Sequence, residues 1–397
     1  MICAGRLIPL AMAFCVVATA SAQDARLAAL HAALVTLHEH ATEISTQRRM
    51  IPELTIAKHQ LRDWIESRLE SLDDPDHAKD LEGGINQELK NLSVTDSADP
   101  QDLLGSLGEV RLESQSGMLI VTTTVGIICE NDASAYGYKR VDGHWKRVWE
   151  TEQDDYAPGK YDPQSFDEVH VWQPLGEGHQ DDPPLVMTLG NDWGCASTWH
   201  TVYYRVWRVD ATRSKLLIDR SDFAWLRAGS YIVGSIGQDW TNQSAPADVL
   251  IEFTEASIDG GVHNREAVRH YLIDGDKVRR VAPVALSPRD FVDEWLTQPW
   301  TDSAAWSASQ ALRQWHGKLQ IGGVGGEFGR TMHCDTPDLW QVDLGPESDT
   351  YFLVRWSPPY RFTMVNVADK PWPLCKQVDR EADQWRTLFN TQEWRWF

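Results

Sequence analysis

The sequence predicts an α+β fold, mainly antiparallel β, with an N-terminal helical hairpin followed by a β-repeat body, propeller-like or sandwich, with inserted helices. Three observations carry this. Apolar residues before residue 93 recur at helical spacing. After residue 104, short runs rich in Val, Ile, Thr, Tyr and Trp alternate with Gly, Asp and Pro turns. Several of those runs recur at a separation of 66 or 67 residues.

The first segment, 1–22, reads as a leader. Arg6 precedes an apolar core from Leu7 to about Thr19, and Ala20-Ser21-Ala22 offers a small-residue cleavage site before Gln23, the layout of a secretory signal peptide. The apolar run is too short for a membrane helix. Cys15 lies inside it without small residues before it, which argues against a lipid-anchored cysteine. Cleavage of 22 residues from 397 leaves 375, and loss of Arg6 takes the formal charge from -21 to -22. The expected location is the periplasm or the medium.

Residues 23–92 predict a helical hairpin. Leu27, Leu30, Leu34, Leu37, Ala41 and Ile44 alternate spacings of three and four, a heptad seam. Pro52 interrupts it. A second helix from about Glu53 to Leu72 carries Leu61, Trp64, Ile65 and Leu69, and Asp73-Asp74-Pro75 ends it. A short third stretch carries Ile85, Leu89 and Leu92. The helices over 24–72 suit either a protein partner or packing on their own domain. Residues 93–104 form a polar linker.

The segment 105–285 predicts the β-repeat region. Asp142-Gly143 marks a hairpin turn. Leu119 precedes Leu185 by 66 residues, Tyr138 precedes Tyr204 by 66, and Tyr271 follows Tyr204 by 67. A period of this size suggests a stacked or radial sheet array. Residues 286–320 predict helices: Ser287 caps, Pro288 opens the first turn, and a second helix is expected over about 303–316. A C-terminal β segment, 321–397, ends with a short helix near 379–389.

The charge excludes some functions. Acidic residues outnumber basic ones 58 to 37, so no nucleic-acid ligand is expected, because such binding needs a positive face. After the leader no apolar run is long enough to span a bilayer. Four cysteines remain in the mature chain, Cys129, Cys195, Cys334 and Cys375, an even number that favours disulfides in an exported protein. The favoured pairing is Cys129–Cys195 and Cys334–Cys375. No CxxC spacing suggests zinc.

The chemistry motifs fail on inspection. The Gly-rich loop at 322–329 follows a helix and lacks GxGxxG and GK[ST]. Ser106 and Ser235 lack the GxSxG spacing. His31 and His38 share a helix face without a carboxylate between them. Glu177, His179, Asp181 and Asp182 describe an acidic loop, and the segment from Asp210 lacks the later ligands of a calcium loop. No cofactor or metal is expected. Glu150, Glu152, Asp154 and Asp155 form a candidate carboxylate segment, from which no catalytic pair emerges.

Tryptophan is the compositional oddity, with 19 in the chain. Most indoles are expected to fill cores. Two share a local pattern, Gly190-Asn191-Asp192-Trp193 and Gly237-Gln238-Asp239-Trp240, in which a ring flanked by amide and carboxylate suits a sugar. Asp192, Trp193, Asp239 and Trp240 are the candidate ligand-binding residues. The resulting expectation is an exported binding or interaction protein of the cell envelope, recognising a polysaccharide or another envelope component. The alternative is a secreted or periplasmic hydrolase using paired carboxylates.

Overall fold

A computed structural model describes residues 25–40, 52–92, 94, 104–127, 130–154, 168–173, 182–191, 199–210, 213–225, 247–256, 264–321, 328–345, 349–358 and 361–378. The architecture is mixed helix and mostly antiparallel sheet, and no described helix is long and apolar enough to cross a membrane. The chain divides into two units: Met1–Gln173, Asp182–Ser197 and Tyr203–Arg220 form one, and Pro174–Asp181, Thr198–Val202 and Ser221–Phe397 the other.

The first unit opens with helices α1 (25–39), α2 (Pro52–Leu69) and α3 (Ala78–Leu89), and a 3-10 turn at Pro75–His77 precedes α3. Four strands follow in sequence order as one sheet: β1 (Arg111–Gln115), β2 (Met118–Ile127), β3 (Glu130–Val141) and β4 (His144–Thr151). Asp142 and Gly143 both have positive φ, 56° and 85°, the backbone a two-residue hairpin turn requires. Ser116 and Gly117 turn β1 into β2 in the same way.

Alternation along β2 sorts its side chains between two cores. Leu119 and Val121 join Leu30, Leu34 and Leu37 of α1, Leu61 and Trp64 of α2 and Ile85 of α3. The helices' apolar seam is therefore covered by the sheet of their own unit, and each fully buried leucine there contributes about 1.5–3 kcal/mol. Met118 and Ile120 face the other way, toward Val169 and Val171 of β5 (Glu168–Trp172), Val186 of β6 (Leu185–Asn191) and Trp207 of β7 (Trp199–Val209). Trp149 and Trp207 meet edge to face at 5.3 Å.

Two side-chain amides each bond a backbone N–H and C=O in this unit, one just before β1 and one on β5. Asn86 of α3 donates to Val110 O at 2.8 Å and accepts from Val110 N–H at 2.9 Å. Gln115 donates to Val169 O at 3.2 Å and accepts from Val171 N–H at 2.9 Å, along the outer edge of β5.

The second unit begins within β8 (Ser214–Trp225) and continues through β9 (Ala247–Ala256), β10 (Asn264–Asp274) and β11 (Lys277–Arg280), neighbours in that order. Helix α4 (Pro288–Thr297) starts as the sequence predicts, with Ser287 Oγ accepting from Asp290 N–H at 3.0 Å. The expected helix over 303–316 is broken instead into α5 (Trp300–Ser303), a 3-10 turn at Ala304–Trp306 and α6 (Leu312–Ile321). The cause is tertiary: Ser307 bridges Met364, and Ala308 N–H donates to Met364 O at 2.9 Å. A five-stranded sheet completes the unit, ordered β15–β14–β13–β12–β16, from β12 (Phe328–Cys334), β13 (Leu339–Leu344), β14 (Thr350–Ser357), β15 (Arg361–Ala368) and β16 (Cys375–Val378). Helix α4 packs on it, with Phe291 stacked on Phe362 at 5.5 Å and Trp295 among Phe352 and His316. Cys334 and Cys375, opposite each other on β12 and β16, are joined by a disulfide.

Candidate functional site

In the first unit, the segment after β4 lies along α2. Apolar positions Leu54, Ala57, Leu61, Trp64 and Ile65 turn α2 toward the core, which leaves Thr55, His59 and Arg62 toward residues 152–154. Their order is antiparallel. Arg62 Nη1 donates to Glu152 Oε1 at 2.9 Å, Lys58 Nζ donates to Gln153 O, and Thr55 Oγ1 donates to Asp154 O at 3.3 Å. Lys58 also pairs with Asp132 at 3.0 Å, both side chains sealed from water.

His59 stands at the centre of this contact. Its Nε2 lies 2.8 Å from Glu152 Oε1 and 2.9 Å from Asp154 Oδ1. The Glu152 side chain is 3% exposed, His59 35% and Asp154 53%, so the cluster runs from the interior to the surface. Tyr136 O–H donates to Glu152 Oε2. Burial raises the Glu152 carboxyl above its ordinary range, against the opposing pull of the Tyr136 hydrogen bond, Arg62 and Lys58. Burial and then the Glu152 charge push the Tyr136 phenol well above its own, which keeps it a donor.

A second feature of this unit is an open cleft of about 240 Å³ over β1, β2 and the edge of β5. Arg111, Glu113, Gln115, Thr122 and His170 supply its polar rim, and Ile120 and Val169 its apolar floor. Charged, amide and hydroxyl groups over an apolar floor can hold a small polyhydroxylated or charged group.

The second unit holds a buried ion network. Arg265 meets Glu255, Asp293 and Glu294 at 2.7 Å each. Arg269 meets Asp222 and Glu294 at 2.9 Å, and Arg280 meets Glu294 at 2.6 Å. Burial disfavours the charge on Glu294, but Arg269, Arg280 and Arg265 outweigh it and hold its pKa at about 2. Glu255 goes the other way: burial raises it beyond what Arg265 and Arg269 offset. Arg265 is held firmly charged, because Glu255, Asp293 and Glu294 outweigh its burial. The guanidiniums of Arg269 and Arg280 also cover the rings of Phe253 and Trp306 at 5.1 and 4.9 Å. Every one of these carboxylates faces an arginine, an arrangement that organises the interior.

Of the residues singled out in the sequence, Asp192, Trp193, Asp239 and Trp240 lie outside the described residues, as do Cys129, Cys195, Asp155, Glu177, His179 and Asp181. Cys334 and Cys375 are paired as expected. His31 and His38 do not share a site: their Nδ1 atoms meet the carbonyls of Leu92 and Leu104 at 3.2 and 3.1 Å. Asp210 closes a turn by accepting from Arg213 N–H at 2.7 Å. Glu152 and Asp154 come together, with His59 as the third member that sequence reading missed. The available signal was the i, i+3, i+4, i+7 set Thr55, Lys58, His59 and Arg62 along one side of α2. Its partners Glu152 and Asp154 are 93 and 95 positions away, a distance that periodicity does not bridge.

Neither the protein-family models, nor the curated proteins, nor the solved structures contain a match to this chain.

Proposed function

We propose that this chain is an exported binding protein of the cell envelope that acts by recognition rather than turnover, with a glycan as its ligand. The cleft over β1, β2 and β5 carries this reading, because it combines a polar rim with an apolar floor. The distribution of indoles supports it. Trp64, Trp149 and Trp295 are sealed in cores and Trp207, Trp306 and Trp340 nearly so, and Trp193 and Trp240, singled out by their shared sequence pattern, are the ligand indoles of this reading. The leader and the Cys334–Cys375 disulfide fit export.

The same reading takes β2–β3–β4, β6–β7–β8 and β9–β10–β11 as three copies of one unit of a propeller-like or sandwich body. Leu119, Leu185 and Ile251 stand 66 residues apart on the first strand of each, all buried. Tyr138, Tyr204 and Tyr271 are buried on the second strand, and Asp142, Asp210 and Asp274 stand in or beside the turn that follows each.

The test is retention of the mature chain on immobilised envelope polysaccharides. Arg111→Ala, Trp193→Ala and Trp240→Ala are each expected to weaken retention about tenfold or more. No retention by the parent, or equal retention by all three variants, overturns the proposal. The hydrolase reading is favoured by one observation, the buried Glu152 carboxyl of raised pKa beside the half-exposed Asp154. It predicts turnover of a glycan, ester or peptide that Glu152→Gln abolishes; no turnover across those classes removes it.

A further inference from the structure

We propose that His59, Glu152 and Asp154 form a binding site for one first-row divalent cation, held by an imidazole nitrogen and two carboxylate oxygens. Among the described residues these three are the one group of His, Cys, Asp and Glu whose donor atoms all lie within 4.8 Å of one another. The finer geometry also matches the spacing of ligands around one ion. Ligands about 2.1 Å from an ion and at right angles to each other lie about 3 Å apart. The His59 nitrogen lies 2.8 Å from Glu152 Oε1 and 2.9 Å from Asp154 Oδ1. All three donor atoms lie within 4.8 Å of one another, close enough to share one ion.

The surroundings are those of a supported metal site. Metal-bound carboxylates are oriented by hydrogen bonds from a surrounding shell. Tyr136 O–H holds Glu152 Oε2, and Arg62 Nη1 holds Oε1. Thr55 and Lys58 fix the backbone carbonyls of Asp154 and Gln153. The charge also balances. Lys58 and Arg62 bring two positive charges against Asp63, Asp132, Glu152 and Asp154, so the surplus of two negative charges matches a divalent ion. The exposed sides of His59 and Asp154 leave the remaining coordination positions to water, the open arrangement of a three-ligand site. The nitrogen donor favours Zn²⁺ over Ca²⁺ and Mg²⁺, which prefer oxygen throughout, and the two carboxylates also admit Mn²⁺. The site pins residues 152–154 to α2 and does not depend on the glycan reading.

Mn²⁺ is the probe, since thiolates hold it poorly and the cysteines then do not compete. The purified full chain, stripped with chelator, is titrated with Mn²⁺ while free ion is counted by electron paramagnetic resonance. One Mn²⁺ per chain is expected, displaced by one equivalent of Zn²⁺. His59→Ala and Asp154→Asn should each weaken binding at least about tenfold, while His77→Ala leaves it unchanged. Circular dichroism checks the fold. Should His59→Ala not fold, Asp154→Asn, at a half-exposed position, decides alone. Absence of stoichiometric binding, or affinity unchanged in a folded Asp154→Asn variant, overturns the proposal.

Discussion

Glu294 shows what a single buried side chain commits this fold to. It is fully buried and receives Arg265, Arg269 and Arg280 at 2.6–2.9 Å. Removing one partner from such a network leaves the others charged and unmatched, at a cost of about 3–5 kcal/mol. Glu294→Gln should lower the unfolding free energy by that amount in chemical denaturation; a loss below about 1 kcal/mol would mean that water reaches the arginines. The pH dependence follows from the depressed pKa. Glu294 is held at about 2 in the folded state against an ordinary 4.5. Its contribution is full above about pH 4.5 and is lost as pH falls toward 2. Glu255, raised by burial, acts in the opposite sense and weakens the fold as pH rises through its own range. A stability profile from pH 6 to 2 should therefore steepen below about 4.5 in the parent and flatten in Glu294→Gln. None of this was legible in the sequence. Arg265 and Glu294 are 29 positions apart, and each alone reads as an ordinary surface charge.

Helix α4 and its neighbours show where local signals suffice. Ser287, Pro288 and Asp290 write the start of α4 into consecutive residues, and the cap forms as read. The next helix is misread because its apolar spacing continues through Ser307, while the backbone there bonds to β15. His316 then takes over a task that no local pattern announces. Its Nε2–H donates to the carbonyls of Trp295 and Gln298 at 2.9 and 3.1 Å, satisfying the end of α4. The pairing of β12 with β16 was legible through its cysteines alone, the last two in the chain. Their disulfide closes a loop with a sequence separation of 41, worth about 4 kcal/mol in the chain-entropy account. The double variant Cys334→Ser, Cys375→Ser should lose about 2–4 kcal/mol in equilibrium unfolding, and reductant should shift the parent curve toward the variant. Coincident curves with and without reductant would show that the sheet holds β16 without the bond.

For the molecule as a whole, the sequence revealed the material of the fold better than its arrangement. Alternation and turn residues marked most strands, because each strand buries one face and each hairpin needs its own backbone angles. How strands group into sheets depends on contacts far apart in sequence. Leu119 facing α1 and Ile120 facing β5 look alike as neighbours in an apolar run. The helical seam was legible, but its partner, the sheet of β1–β4, was not. Strand edges expose donors and acceptors that recruit other chains, and here Gln115 occupies the edge of β5 with its side-chain amide. Gln115→Ala should keep the circular dichroism of the parent and raise light scattering with concentration; scattering equal to the parent's would show that the edge of β5 is blocked otherwise. The Gln115 carboxamide thus occupies the place an added strand would have to take on β5. Fibre growth from that edge would first have to evict it, so substitution there is expected to lower the concentration at which growth begins.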